Sequence, residues 1–125
     1  MRPIKFRVWD KEKKIFLEES IYNSVAITFD GYIFSGRNDY IDKSDRYEIQ
    51  QSTGMTDKSG KDLYEGDIVN FAYNVNTQMI CRVEWSERFF GFFLNHYNNE
   101  SLVFQSRLCE TNKSKITIIG HIFEN

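Results

Sequence analysis

The stretch Gln51-Ser52-Thr53-Gly54-Met55-Thr56-Asp57-Lys58-Ser59-Gly60-Lys61-Asp62-Leu63-Tyr64-Glu65-Gly66-Asp67-Ile68-Val69-Asn70-Phe71 decides the fold of this chain. Gly54, Gly60 and Gly66 recur at even spacing between short apolar runs. Each stands where a chain can reverse, because glycine takes the positive φ of a tight turn without a Cβ clash. Thr56-Asp57-Lys58-Ser59-Gly60 predicts a polar connection between two strands, with Gly60 as its left-handed residue. Glu65-Gly66-Asp67 predicts a second turn, and Ile68 to Tyr73 leaves it as a strand. Asp57, Asp62, Glu65 and Asp67 are the right residue types for acid–base work or a divalent cation. Their spacing does not follow the alternating ligand pattern of a calcium loop. Asp57 and Asp67 are instead expected to accept backbone N–H groups at the turns.

Upstream, Ile4-Lys5-Phe6-Arg7-Val8-Trp9 alternates with the period of a half-buried strand. Ile4, Phe6 and Val8 are expected to face the core, with Lys5, Arg7 and Trp9 on the other face. Asp10 to Lys14 is a charged turn, and Ile15-Phe16-Leu17 returns to complete a hairpin. Val25 to Phe29, Asp30-Gly31 and Tyr32-Ile33-Phe34 predict a second hairpin, since Asp-Gly suits a two-residue turn with positive φ at both positions. Glu18 to Ser24 and Ser35 to Asp45 lack pattern and are expected as loops, while Arg46 to Gln50 leads into the central stretch.

Downstream, Met79, Cys81, Val83 and Trp85 alternate with Ile80, Arg82 and Glu84 in a further strand. Phe89-Phe90-Gly91-Phe92-Phe93-Leu94 is apolar on both faces, with Gly91 marking a bulge or a close approach. Asn95 to Asn99 is expected as a polar loop. Leu102 to Cys109 leans towards a helical turn through Leu102, Gln105 and Leu108, although Val103 and Phe104 suit a strand equally. Ile116 to Phe123 closes the chain as a strand. The fold class is therefore mostly β: a small SH3-like barrel or a strongly bent antiparallel sheet, with an N-terminal hairpin extension and at most one short helix. The expected organisation is a single domain over 1–125, with hairpins in 1–45 and the barrel-like part in 46–125.

The formal net charge of −2 argues against a nucleic-acid binder that relies on bulk electrostatics. Eleven Phe, seven Tyr and two Trp make an aromatic surplus, and aromatics favour both strands and interfaces. Arg2 and Lys5 are followed by alternating charges rather than an apolar run, and no run approaches the length of a membrane span. A cytoplasmic protein with reduced Cys81 and Cys109 is expected.

Four further groupings bear on chemistry. His96, His121, Cys81 and Cys109 are zinc-ligand types, yet no two form the close pair that lets one turn supply two ligands. Cys109 with His121 and Cys81 with His96 are the Cys–His combinations open to nucleophilic catalysis, and nothing around them marks an oxyanion site. No catalytic residue, cofactor or metal site is therefore expected. Lys5, Arg7 and Trp9 form the basic-aromatic stripe a single-stranded nucleic acid would use, extended by Tyr22, Tyr32 and Tyr40; the competing reading is a solvated strand face with basic stems lying over the ring. Phe89 and Phe93 belong to a run larger than one buried face requires, so either both faces are covered within the chain or one is buried against another subunit.

Gln51, Thr53-Gly54, Asp57, Gly60 and Tyr64-Glu65-Gly66-Asp67-Ile68-Val69 resemble the central signature of the YopX family, small proteins of phages and prophages. Residues 1–10 and 118–125 resemble its two ends, so the likeness spans the chain. Pro3 stands where the family often has an acidic residue, and His121 where it usually has Asn. The resemblance implies a compact, mostly β protein made in a bacterial cell from mobile DNA. It makes Gly54, Asp57, Gly60, Tyr64, Gly66 and Asp67 a structural signature, and it carries over no established chemistry. The expected function is non-enzymatic: a protein-interaction or self-assembling module, a homo-oligomer with a host or phage protein as further partner. The alternative is a single-stranded nucleic-acid-binding module.

Overall fold

A computed structural model describes residues 5–17, 25–27, 33–35, 40–42 and 46–123. The strands follow the alternation of the sequence, and the glycine turns set their ends. In chain order they are β1 (Phe6–Asp10), β2 (Ile15–Phe16), β3 (Val25–Ile27), β4 (Ile33–Ser35), β5 (Tyr40–Asp42), β6 (Tyr47–Thr56), β7 (Asp62–Tyr64), β8 (Asp67–Asn74), β9 (Thr77–Ser86), β10 (Gly91–Asn98), β11 (Ser101–Arg107) and β12 (Ile116–His121). One short 3₁₀ helix, Glu110–Lys115, precedes β12. The protein is mostly β, with antiparallel pairing throughout the described strands and one sheet curled into a half-barrel. The chain divides into two compact units, Arg7–Gln50 and Met1–Phe6 with Gln51–Asn125.

In the unit Arg7–Gln50, the first hairpin forms as its alternation predicts, with Trp9 opposite Phe16 and Asp10 opposite Ile15. Its turn is built on Asp10, which is 1% exposed. One Asp10 oxygen, Oδ1, accepts from the N–H groups of Glu12 and Lys13 at 3.0 and 3.1 Å. Arg46 clamps the same carboxylate through both oxygens at 3.0 and 2.9 Å. That forked pairing, stronger than a single contact, holds the Asp10 carboxyl down at about 2. The second hairpin also forms, Val25 to Ile27 pairing with Ile33 to Ser35. Its Asp30-Gly31 turn lies outside the described residues. The expected loop from Ser35 to Asp45 is corrected: Tyr40 to Asp42 pairs with β4 and makes a third strand. Tyr-Ile-Asp is too short to show a period, so only the neighbouring edge reveals it.

In the other unit, five strands run in the order β11-β10-β9-β8-β12. Val69 and Phe71 from β8, Cys81 and Val83 from β9, Leu94 from β10 and Ile116 from β12 meet Leu63 of β7 in one buried cluster. Met79, Phe104, Leu108 and Ile118 pack around it. Phe71, 1% exposed, contributes about 2–3 kcal/mol by leaving water. Two expectations fail here for one reason. Asn95 to Asn98 belongs to β10 and not to a loop, and Leu102 to Arg107 is strand, not helical turn. The two segments pair with each other, Asn95 opposite Gln105 and His96 opposite Phe104. Cross-strand bonding overrides the weak β propensity of Asn and the helical spacing of Leu102, Gln105 and Leu108.

Candidate interaction surface

The signature stretch is a set of corners. Gly60 and Gly66 take φ of 90° and 89° at the turns before β7 and β8. Gly54, with φ 84°, sits inside β6, where the pairing with β7 shifts register between Ser52 and Thr56. It makes a bulge rather than the expected reversal. Side chains stitch that bulge: Thr53 Oγ1 donates to the Leu63 carbonyl at 2.8 Å and accepts from Met55 N–H at 3.1 Å.

Asp57 does the same for the Asp57–Lys61 turn. Its Oδ1 accepts from Ser59 N–H, Ser59 Oγ and Lys61 N–H at 2.9, 2.8 and 3.0 Å. Its Oδ2 reaches across to the Ile118 N–H of β12 at 3.1 Å. Burial pushes its carboxyl up, but these donors outweigh it and leave the group below its ordinary value. Asp67 Oδ2 accepts from Tyr64 N–H at 2.8 Å, and Glu65 Oε1 from Gln51 N–H at 3.0 Å. Asp62 pairs with Lys5 at 3.0 Å. Asp57 and Asp67 each close a turn, Glu65 ties β6 to the second of these, and Asp62 makes an exposed ion pair, so the four carboxylates serve separate structural contacts. Among the described residues no group of three or more His, Cys, Asp or Glu could hold a metal ion.

The basic-aromatic stripe is not an open face. Lys5 lies in the unit with Gln51–Asn125, while Arg7 and Trp9 lie in the other. Trp9 is buried at 8% exposure, its ring edge-on to Phe16 at 4.9 Å, which corrects the outward placement expected for it. Arg7 lies over the Phe16 ring at 4.5 Å and donates to Gln50 Oε1 at 2.8 Å. Phe6, expected inward, is 44% exposed. The strand is covered differently along its length, so alternation alone does not give the exposure of either ring. Tyr22 and Tyr32 lie outside the described residues.

The Cys and His residues also serve the fold. Cys81 sits in the core, and burial pushes its thiol up to about 11. Cys109 donates from its N–H and Sγ to Asn112 Oδ1 at 2.9 and 3.0 Å as the 3₁₀ helix begins. His96 Nδ1–H donates to the Ile80 carbonyl at 2.7 Å, and His121 Nδ1 accepts from Phe123 N–H at 3.2 Å.

Two features of β9 and β10 take shape only through the pairing of the two strands. The first is a polar cluster on one face of the sheet. Asn95, 6% exposed, donates to Glu84 Oε1 at 3.0 Å and accepts from Gln105 at 2.9 Å. Tyr97 donates its hydroxyl to the same Glu84 oxygen, and Arg82 lies over the Tyr97 ring at 4.6 Å. The bond to Glu84, with burial, raises the Tyr97 phenol above its usual value. A sequence signal existed, since Arg82 and Glu84 alternate outward, but expecting a loop at Asn95 dispersed their partners.

The second feature is an aromatic rim at the β9–β10 turn. Phe90 is 79% exposed and is held at φ 51°, a left-handed conformation that a bulky side chain rarely adopts. Phe89 and Trp85 stand beside it at 46% and 48% exposure. Trp85 meets Phe92 edge-on at 5.2 Å, and with Gln51, Glu65, Phe90 and Gly91 they line an open cleft of about 480 Å³. Phe93, by contrast, is 7% exposed beneath Phe89 and the Arg107 guanidinium. The run is thus divided: Phe93 is covered within the chain, and Phe89 and Phe90 are displayed. Gly91 lies in regular pairing with β9 and marks a close approach, since a Cβ there would meet the Arg107 guanidinium.

A bent antiparallel sheet with buried aspartates fixing its corners and an aromatic rim at one turn places the chain among small, mostly β proteins. More narrowly, it belongs to the YopX family, described as YopX protein, whose profile matches residues 5–125. Among solved structures it is similar to EF1440 from Enterococcus faecalis, with a TM-score of 0.65 and 21% identity over 100% of this chain and 96% of that one. It is similar to YopX from Bacillus subtilis at a TM-score of 0.65 and 18% identity, with the same two coverages of 100% and 96%. At those identities the likeness concerns the fold. No curated protein matches the sequence.

Proposed function

We propose that this protein is a non-enzymatic protein-interaction module that self-associates and also presents the rim of Trp85, Phe89 and Phe90 to a partner protein in the cytoplasm of a phage-carrying bacterial cell. The display of Phe90 carries the reading. A large ring at 79% exposure on a left-handed backbone has no use in the protein's own core, and strained, exposed aromatic positions concentrate where proteins bind. The buried Cys81 thiol and the saturated Asp57 carboxylate support a role without catalysis. The partner would be a host or phage protein with an apolar segment that fits the cleft beside Trp85. The burial of Trp9 weighs against the single-strand alternative, which needs that ring free to stack a base.

Affinity capture from a bacterial lysate, with light scattering on the purified protein, tests this. The wild type is expected to self-associate and to retain a partner that Phe90→Asn and Trp85→Ser lose. A strict monomer that retains nothing, or retention unchanged in both variants, would overturn it.

A further inference from the structure

Among the described residues five rings carry an arginine, each within 5.4 Å of the ring centre. Two of these pairs stand at the rim, Arg88 over Phe89 and Arg107 over Phe93. No described cation of the chain lies over Trp85, Phe90 or Phe92, the three rings that line the cleft. Register explains the difference. Trp85 and Phe92 are paired and share one face of the sheet, while Gly91 and Phe93 face the other, where Arg107 lies. Of the residues lining the cleft, Glu65 alone is charged. It is half-buried and tied to Gln51 twice. Its Oε1 accepts the Gln51 N–H and its own N–H donates to the Gln51 carbonyl, both at 3.0 Å. The carboxylate is therefore held at the wall before anything binds.

We propose that the cleft takes an arginine side chain of the partner protein, its guanidinium among the rings of Trp85, Phe90 and Phe92 and its charge answered by Glu65. The proposal rests on the rim as an interaction surface and adds the residue that enters it. Aromatic faces carry the negative end of the ring quadrupole and attract cations, Trp most strongly. An apolar side chain would displace water from the Glu65 carboxylate and offer no hydrogen bond in its place, which burial penalises. Arginine suits the site better than lysine. Its planar guanidinium stacks on a ring and forks onto a carboxylate, while its stem is apolar enough to lie along the cleft wall. The chain makes the same match within itself: Arg46 lies over Tyr47 at 5.4 Å and forks onto Asp10 at 3.0 and 2.9 Å.

Acetylated, amidated tripeptides with leucine on either side of arginine, citrulline or norleucine test the inference, read by tryptophan fluorescence with Trp85 as the reporter at the cleft. Citrulline keeps the shape of arginine without its charge. At low salt the arginine peptide is expected to bind the wild type about tenfold tighter than the other two. Glu65→Gln should erase that preference while keeping the fold, since Gln retains an oxygen for the Gln51 N–H; an unchanged urea midpoint checks the fold. The comparison of arginine with citrulline on the wild type needs no variant. Equal binding of the three peptides, no saturable binding of the arginine peptide, or a preference that survives Glu65→Gln would each overturn the arginine. Lysate capture separates this from the rim reading. Retention of the partner by Glu65→Gln, with loss in Phe90→Asn, would refute the arginine and leave the rim standing. Retention in both Phe90→Asn and Trp85→Ser would refute the rim itself.

Discussion

Asp10 and Asp57 show what a buried carboxylate does when backbone N–H groups surround it. Asp10 binds Arg46, Glu12 and Lys13, and its carboxyl falls from 3.8 to about 2. A lowered folded-state value means that the unfolded chain takes up the proton first. The stabilisation is therefore present above the unfolded value of 3.8 and is lost as pH falls towards 2. Urea titrations across that window should show a falling midpoint, and Asp10→Asn should flatten the fall. A fall equally steep in Asp10→Asn would assign the acid sensitivity to other groups. Asp57 tests geometry instead of charge. Asn in its place keeps one acceptor oxygen but sets an amide N–H₂ against N–H donors. Asp57→Asn is expected to cost about 1–3 kcal/mol in urea unfolding, since buried donors lose their acceptor. A change below about 0.5 kcal/mol would show that the four bonds are dispensable.

Elements in this protein end where their turns demand it. Gly60 stands at φ 90° with nothing within 4 Å of where a Cβ would go. A substitution there meets no neighbour and reports backbone strain alone. Gly60→Val is expected to lower stability by about 1–3 kcal/mol, with Gly60→Asn costing less because Asn tolerates the left-handed region. Equal melting temperatures for wild type and Gly60→Val would remove the special conformation assigned to that turn. The same logic explains the β6 bulge, where Gly54 and the hydroxyls of Ser52 and Thr53 replace ladder bonds that a regular strand would make. It also separates the two sheet edges. β12 is sealed by a turn encoded in the signature stretch, whereas β11 is interrupted by a register shift against β10 opposite His96 and Tyr97.

At the scale of the whole chain, the core of the Gln51–Asn125 unit is one cluster drawn from β7, β8, β9, β10 and β12. Cys81 lies inside it at 1% exposure, while Cys109 is exposed. A thiol reagent at mildly alkaline pH should therefore label Cys109 in the folded protein at once. Cys81 should react only as the core opens, because burial both blocks access and keeps its thiol protonated up to about 11. Labelling of both at one rate would show that the cluster is not a cooperative core. No helix among the described residues is long and apolar enough to cross a membrane.

The amino-acid sequence by itself determined the local geometry. Alternation placed Cys81 and Val83 on the buried face of β9, Asp57 to Gly60 specified a left-handed corner, and Asp10 to Lys14 specified the turn of the first hairpin. Each depends on φ, ψ and side-chain period within a few residues. Tertiary structure alone decided what joins distant residues. Asp57 accepts the N–H of Ile118 from 61 positions away. Leu102 to Arg107 became strand because β10 offered it a ladder, and the same pairing gathered Glu84, Asn95, Tyr97 and Gln105 on one face. Trp9 stays with Arg7 against Phe16 yet is buried, because burial follows what covers each end of a strand and not the alternation alone. Hydrogen-bond partners and covering side chains come from elsewhere in the chain, and no local pattern of residues encodes which ones arrive.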